Sequence, residues 1–149
     1  MASRYGLEIR AATAADASGL SVLLRAAGHP VASDPLAERI EAMRQGPGAA
    51  LIAVEWGPPS GLILLHWYRT LTADPPVAQV TTLLVGPDER RRGIGRLLLK
   101  AGAQAARSAG CGALQLLVDP AEPTLHAFAE ATGFVGAGSL LVRPLRKKG

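Results

Sequence analysis

The chain has 149 residues, 48% of them hydrophobic and 19% charged, with a formal net charge of +4. Such a length suits one domain, 1–149, with a substantial core. The composition argues against a disordered chain, and a single cysteine, Cys111, excludes an internal disulfide framework or a cysteine-based zinc cluster. The opening MASRYGLEIRAAT lacks the apolar run of a signal peptide, and no stretch approaches the roughly 20 apolar residues of a membrane span, so a soluble, cytoplasmic protein is expected.

In chain order, Gly6–Arg10 reads as a short edge strand. Thr13 with Asp16 three residues on is a capping-box pattern, and Leu20, Leu23, Leu24 and Ala27 behind it share one helical face that Gly28-His29-Pro30 ends. Asp34-Pro35 reads as the N-cap and first residue of a second helix, with Leu36, Ile40 and Met43 on its face and Gly46-Pro47 as its stop. Ala49–Glu55 and Leu62–Tyr68 are strand candidates around the turn Gly57-Pro58-Pro59-Ser60-Gly61, which makes them a hairpin. Asp74-Pro75-Pro76 separates these from a longer strand, Val77–Val85. A helix follows on Ile94, Leu97, Leu98, Ala101 and Ala105, closed by Gly110, and then a strand, Ala113–Val118. Strand, helix and strand in succession predict a right-handed crossover between parallel neighbours. Thr124–Ala131 reads as a shorter helix ended by Gly133, and Phe134–Ala137 and Leu140–Arg143 as two last strands. The order predicts an α/β (α+β) architecture: a mixed central sheet of about 6–7 strands flanked by about 4 helices on both faces.

The basic excess is local. Arg90, Arg91, Arg92, Arg96 and Lys100 form one group, and Arg143, Arg146, Lys147 and Lys148 another. Two clusters suit anionic partners better than a surface that coats nucleic acid, which is not expected as a partner. The first cluster sits where Val77–Arg107 passes from strand through a turn with two spaced glycines into a helix. That arrangement collects free N–H groups, the positive end of a helix and guanidinium groups at one spot, which suits a phosphate or pyrophosphate. A P-loop requires Gly-Lys-Ser/Thr, but Gly95 is followed by Arg96-Leu97. A dinucleotide fingerprint requires a third glycine where Leu98 stands. No His/Asp/Glu spacing supports a metal site.

The remaining pattern, Val85-Gly86-Pro87-Asp88-Glu89-Arg90-Arg91-Arg92-Gly93-Ile94-Gly95, resembles the acyl-coenzyme-A-binding motif of the GNAT superfamily of N-acetyltransferases, with Arg90, Gly93 and Gly95 at its fixed positions. Leu125-His126-Ala127-Phe128-Ala129-Glu130-Ala131-Thr132-Gly133-Phe134 is similar to the second block of that family, a helix ending in Gly-Phe. The resemblance implies a single acyl-CoA N-acyltransferase-like domain with acetyl-CoA as co-substrate, acting on a small-molecule amine; a homodimer is compatible with it. It also implies site residues. The turn Arg91, Arg92, Gly93, Ile94, Gly95 and Arg96 would cradle the pyrophosphate, with one or two of Arg90, Arg91 and Arg92 near the phosphates and Ile94 anchoring the helix in the core. The pantetheine arm would pair like an added strand with the main chain of Leu83, Leu84 and Val85.

The family's usual proton-donating tyrosine, four residues before the Gly-Phe glycine, is replaced by Ala129, and an asparagine found eleven residues before that glycine is replaced by Glu122. His126, Asp119 and Glu122 are the catalytic candidates, with His66, Tyr68 and His29 as further polar residues of the cleft side. Each also has a plain structural reading: His126 as an exposed helix residue, Asp119 as a turn cap, Glu122 as a carboxylate at a helix N-terminus. Cys111 reads as a buried structural thiol. The alternative to an enzyme is an acyl-CoA-binding or regulatory domain without chemistry, or an acetyltransferase for protein or aminoacyl-tRNA.

Overall fold

Alternation along the strands decides the architecture. In the second and third strands one parity, Leu51, Ala53, Ile63 and Leu65, joins one apolar cluster, and the other, Ala50, Ile52, Leu62 and Leu64, joins a second. A sheet apolar on both faces has to be covered on both, which predicts helices above and below it. The computed structural model describes residues 6–87 and 93–145 and shows this arrangement. It falls into two compact units, Met1–Leu117 and Val118–Gly149.

The first unit contains β1 (Glu8–Ala11), α1 (Ala17–Ala26), α2 (Ser33–Gln45), β2 (Gly48–Val54), β3 (Gly61–Tyr68), β4 (Val77–Val85), α3 (Ile94–Ser108) and β5 (Ala113–Leu116). The strands lie in the order of the chain, β1-β2-β3-β4-β5, antiparallel up to β4 and parallel between β4 and β5. Leu20 and Leu23 of α1 and Ile40 of α2 cover one face, with Ala50, Ile52 and Leu62. On the other face Ile94, Leu98 and Ala106 of α3 pack with Ile63, Leu65, Ala78 and Val80. The inner line of α3 is completed by Gly102 instead of Leu97, which turns outward at 38% exposure. A Cβ on Gly102 would lie 2.9 Å from Ile63 Cδ1, and one on Gly61 would lie 2.8 Å from Leu98 Cδ1, so the helix rides close to the sheet because both residues lack side chains.

Local signals work as read in three places and shift in two. Asp16 accepts a hydrogen bond from the Thr13 N–H at 2.8 Å, but the turn they close is a short 3-10 segment, Ala14–Asp16, that leads into α1. The start of α2 lies at Ser33 after Ala32, so Pro35 sits inside the first turn; its missing N–H costs nothing there, because that turn has no intrahelical acceptor for it. Helices α1, α3 and, in the second unit, α4 (Pro123–Ala131) close with the same motif. In each the amide two residues past the C-cap bonds back to the third-last carbonyl: His29 to Leu24 O, Cys111 to Ala106 O, Phe134 to Ala129 O. Gly28, Gly110 and Gly133 take the left-handed backbone this requires.

The expected 6–7 strands are corrected to five among the described residues. Neither Phe134–Ala137 nor Leu140–Arg143 forms a strand, and Val135, Leu141 and Val142 are exposed. Their β-prone composition meets only half the requirement, since a strand also needs a neighbour's N–H and C=O groups. No helix among the described residues is long and apolar enough to cross a membrane.

Candidate functional site

The register of β4 changes in mid-strand: Val80 faces Leu65, whereas Thr82 faces Leu64, so Thr81 is an extra residue. A bulge of this kind reverses which parity faces which side. Ala78 and Val80 before it, and Leu83 and Val85 after it, therefore all point to the α3 face and pack in its cluster. The same bulge marks where β5 is lost. The β4–β5 pairing runs from Val77–Ala113 to Val80–Leu116 and ends with the Leu117 N–H on Val80 O. Beyond that rung β4 continues for five residues, Thr81–Val85, without a strand on that edge among the described residues.

Which backbone groups face the open edge follows from one bond. Gly86 donates its N–H to Ser60 O at 2.8 Å, on the β3 side. Antiparallel pairs alternate, so Leu84 and Thr82 also turn their main chains to β3, and those of Leu83 and Val85 point to the open edge. Thus Leu83 and Val85 present main chain outward while their side chains are core, and the Leu84 main chain is used inside the sheet.

At the end of this edge α3 begins. Gly93 is its N-cap, with φ 74° and ψ 17°, and its carbonyl accepts the helix's first bond from Leu97 N–H. An α-helix leaves the N–H groups of its first turn without intrahelical partners, and its dipole favours an anion there. Ile94, Gly95 and Arg96 make up that turn. The Ile94 side chain is fully buried, so any ligand contact it makes is through its main chain. Arg90, Arg91 and Arg92 lie outside the described residues.

The catalytic candidates are placed in the second unit. Nδ1 of His126 lies 3.4 Å from Glu130 Oε1, and the two side chains are 62% and 69% exposed. The Asp119 carboxylate accepts the Ala121 N–H at 2.8 Å and so closes a turn. Glu122 is the N-cap of α4 and makes no side-chain cap bond there. Ala129, at the tyrosine position, is buried, and its carbonyl takes the helix-closing bond from Phe134. His29 is exposed in the turn after α1. Cys111 is half-buried and packs against the α3-side core, and burial pushes its thiol up, the reverse of an activated nucleophile. Among the described residues no group of His, Cys, Asp and Glu could hold a metal ion.

One cluster escaped the sequence reading. His66, Gln79 and Gln115 are consecutive cross-strand partners on β3, β4 and β5. Oε1 of Gln115 accepts hydrogen bonds from Gln79 Nε2 at 3.0 Å and from the Tyr68 hydroxyl at 3.1 Å. The signal available was a lone glutamine in each of two apolar strands, VAQV and ALQL. Only the register shows that the two are opposite each other.

Comparison with known proteins agrees with this fold. A putative acetyltransferase from Agrobacterium tumefaciens str. C58 superposes with a TM-score of 0.81 over 92% of this chain and 99% of its own, at 27% identity. An aminoglycoside N-acetyltransferase solved in complex with CoA has the same fold, with a TM-score of 0.79 over 95% of each chain and 21% identity. A mycothiol acetyltransferase of Rhodococcus jostii (strain RHA1) is 33% identical over an alignment 92 residues long that covers 51% of this chain and 30% of that protein. The chain spans less than a third of the length of the curated relatives it matches. The family model described as Acetyltransferase (GNAT) family matches residues 19–134, most of the chain. A strand bulged where its parallel neighbour departs, leading into a helix with a left-handed glycine at its head, is thus the work of a chain that belongs to the acetyltransferase (GNAT) family.

Proposed function

We propose that the 1–149 chain is one acyltransferase domain and catalyses acetyl-CoA-dependent N-acetylation of a small-molecule amine. The observation that carries this reading is the open β4 edge, Thr81–Val85, together with the left-handed Gly93 at the head of α3, whose first residue, Ile94, lies beside Gly61, the cross-strand partner of Val85. At about 3.3 Å per residue the edge from Thr81 to Gly86 is roughly 17 Å long, a span suited to an extended pantetheine arm with its phosphates at the helix end. The residues present fit the group: Leu83 and Val85 offer main-chain donors and acceptors, and the first turn of α3 offers N–H groups.

Acetyl-CoA supplies an activated thioester carbonyl. The chain's part is to hold it, orient the amine and handle protons. Gly93 positions the first-turn N–H groups of α3, Gly95 lets the anion approach the backbone, and the guanidinium of Arg96 and one or two of Arg90, Arg91 and Arg92 add charge. For the proton leaving the amine and the one taken up by the thiolate, His126 is the leading candidate, with Asp119 and Glu122 able to act through water. Membership of the family and the mycothiol acetyltransferase match support acetyl transfer.

Isothermal titration with acetyl-CoA at micromolar concentration should show one site per chain, and thiol release should follow when a panel of small amines is added. Absence of binding refutes the reading. A second reading, an acyl-CoA-binding domain without chemistry, is favoured by Ala129, which has no proton to give. Tight binding with no thiol release from any amine of the panel would select it.

A further inference from the structure

Tyr68, Gln79 and Gln115, joined by the hydrogen bonds that the first two donate to Gln115, form a row that lies wholly within the first unit. The register puts His66, Gln79 and Gln115 on one cross-strand line, with Tyr68 two residues along on the same side. Their neighbours Leu65, Ala78, Val80, Leu114 and Leu116 pack on the α3 side, so the row belongs to the opposite face. The apolar cluster formed there with α1 and α2 takes in residues of β2 and β3 and none of β4 or β5. The row therefore lies beyond the ground covered by α1 and α2. It is also one residue before Val80, the last rung at which β4 and β5 are joined.

We propose that this row is the acceptor-recognition surface and that it reads the hydroxyl groups of an uncharged polyol carrying a single reactive amine, such as an amino sugar. The proposal rests on the acetyltransferase reading above and specifies its substrate class.

The chemistry of the row makes this choice. Gln115 Oε1 already takes two hydrogen bonds, which fills its lone pairs. This setting leaves the Gln115 NH2, the Gln79 carbonyl and the Tyr68 oxygen lone pairs for a ligand. Turning both amides over exchanges donors for acceptors and again leaves some of each unused. A hydroxyl group is donor and acceptor at once and fits either setting. A charged acceptor does not fit. The carboxylate of an amino acid needs a cation and a polyamine needs carboxylates. Leu64, His66, Tyr68, Val77, Gln79 and Gln115, all on this side of β3, β4 and β5, include no carboxylate, lysine or arginine.

The geometry also supplies rigidity. Tyr68, Gln79 and Gln115 stand on three adjacent strands and restrain one another, so little side-chain freedom is lost when a ligand binds. A long flexible side chain on a loop would lose more.

The test uses the full chain with acetyl-CoA, and two amines on a six-membered ring: glucosamine, which bears hydroxyls, and cyclohexylamine, which does not. The readout is the ratio of kcat/KM for glucosamine to that for cyclohexylamine, compared between wild type and Gln115→Leu. The different ionisation of the two amines cancels in this comparison. Loss of one or two neutral hydrogen bonds should lower the ratio about five- to tenfold, through KM for glucosamine more than through kcat. A readout independent of turnover is the side-chain amide resonances of Gln79 and Gln115, assigned by their loss in Gln79→Leu and Gln115→Leu. In the CoA-bound protein they should shift with glucosamine and stay in place with cyclohexylamine. An unchanged ratio, or amide resonances indifferent to glucosamine, overturns the proposal while leaving acetyl-CoA binding intact. Failure to bind acetyl-CoA at all sinks the acetyltransferase reading and takes this proposal with it.

Discussion

Replacing Gly93 separates two reasons a glycine can be needed. Its backbone is left-handed, with φ 74°, yet a Cβ built on it meets no described atom within 4 Å. Among the described residues clearance is therefore not the constraint, and backbone conformation is. An L-residue with an ordinary side chain pays about 1–2 kcal/mol in the left-handed region, whereas asparagine is tolerated there. Gly93→Ala can meet this cost in two ways. If the turn keeps its shape without ligand, the penalty falls on stability, about 2–4 °C in Tm per kcal/mol for a chain of this size. If the turn relaxes, the coenzyme must restore it on binding, and Kd for acetyl-CoA rises about 5- to 30-fold. The two losses should together come to about 1–2 kcal/mol, measured by thermal unfolding and calorimetric titration on the same samples. Gly93→Asn should lose distinctly less on both. A Gly93→Ala protein with wild-type Tm and wild-type Kd would refute the argument, as would an asparagine variant no better than alanine.

Two further outcomes follow from the packing. Arg10 forms a two-pronged pair with the Asp16 carboxylate at 2.8 and 2.9 Å; its hydrogen bond, helped by the Thr13 N–H, holds that carboxyl below the usual range against the opposing effect of burial. A carboxyl depressed in the fold stabilises above its unfolded value, about 3.9, and that stability is lost as pH falls through the folded value. Urea midpoints of wild type should drop in that acid window more than those of Asp16→Asn, which at neutral pH should be weaker by about 0.5–2 kcal/mol; parallel profiles down the acid range would refute the pairing. Gly61→Val would press its Cβ to 2.8 Å from Leu98 Cδ1 and 3.1 Å from both Ile94 Cγ2 and Leu84 O. It should cost about 1–3 kcal/mol and weaken acetyl-CoA binding by moving the head of α3; unfolding curves unchanged from wild type would show that α3 does not ride on that glycine.

The sequence by itself determined most of what is local. Val77–Val85 is a strand with the bounds read from its apolar run, Gly28, Gly110 and Gly133 end helices because they can adopt the left-handed backbone a closing motif requires, and the two spaced glycines after β4 stand at the head of α3. These features follow from steric and hydrogen-bonding rules that reach only a few residues along the chain. Periodicity went astray where a partner was needed: Leu140–Arg143 has the composition of a strand and does not form one, and Leu97 turned out while Gly102 turned in, because the fit of α3 on Ile63 decides its rotation. Only the tertiary structure shows which groups the candidate site presents. The extra residue at Thr81 cannot be seen in VAQVTTLLV, yet it sets which main-chain groups of β4 face the open edge. It is also the register of β3, β4 and β5 that places Gln79 beside Gln115, 36 residues away, within 3.0 Å. Strand pairing joins residues distant in sequence, and its register depends on the whole sheet, so no local pattern carries it.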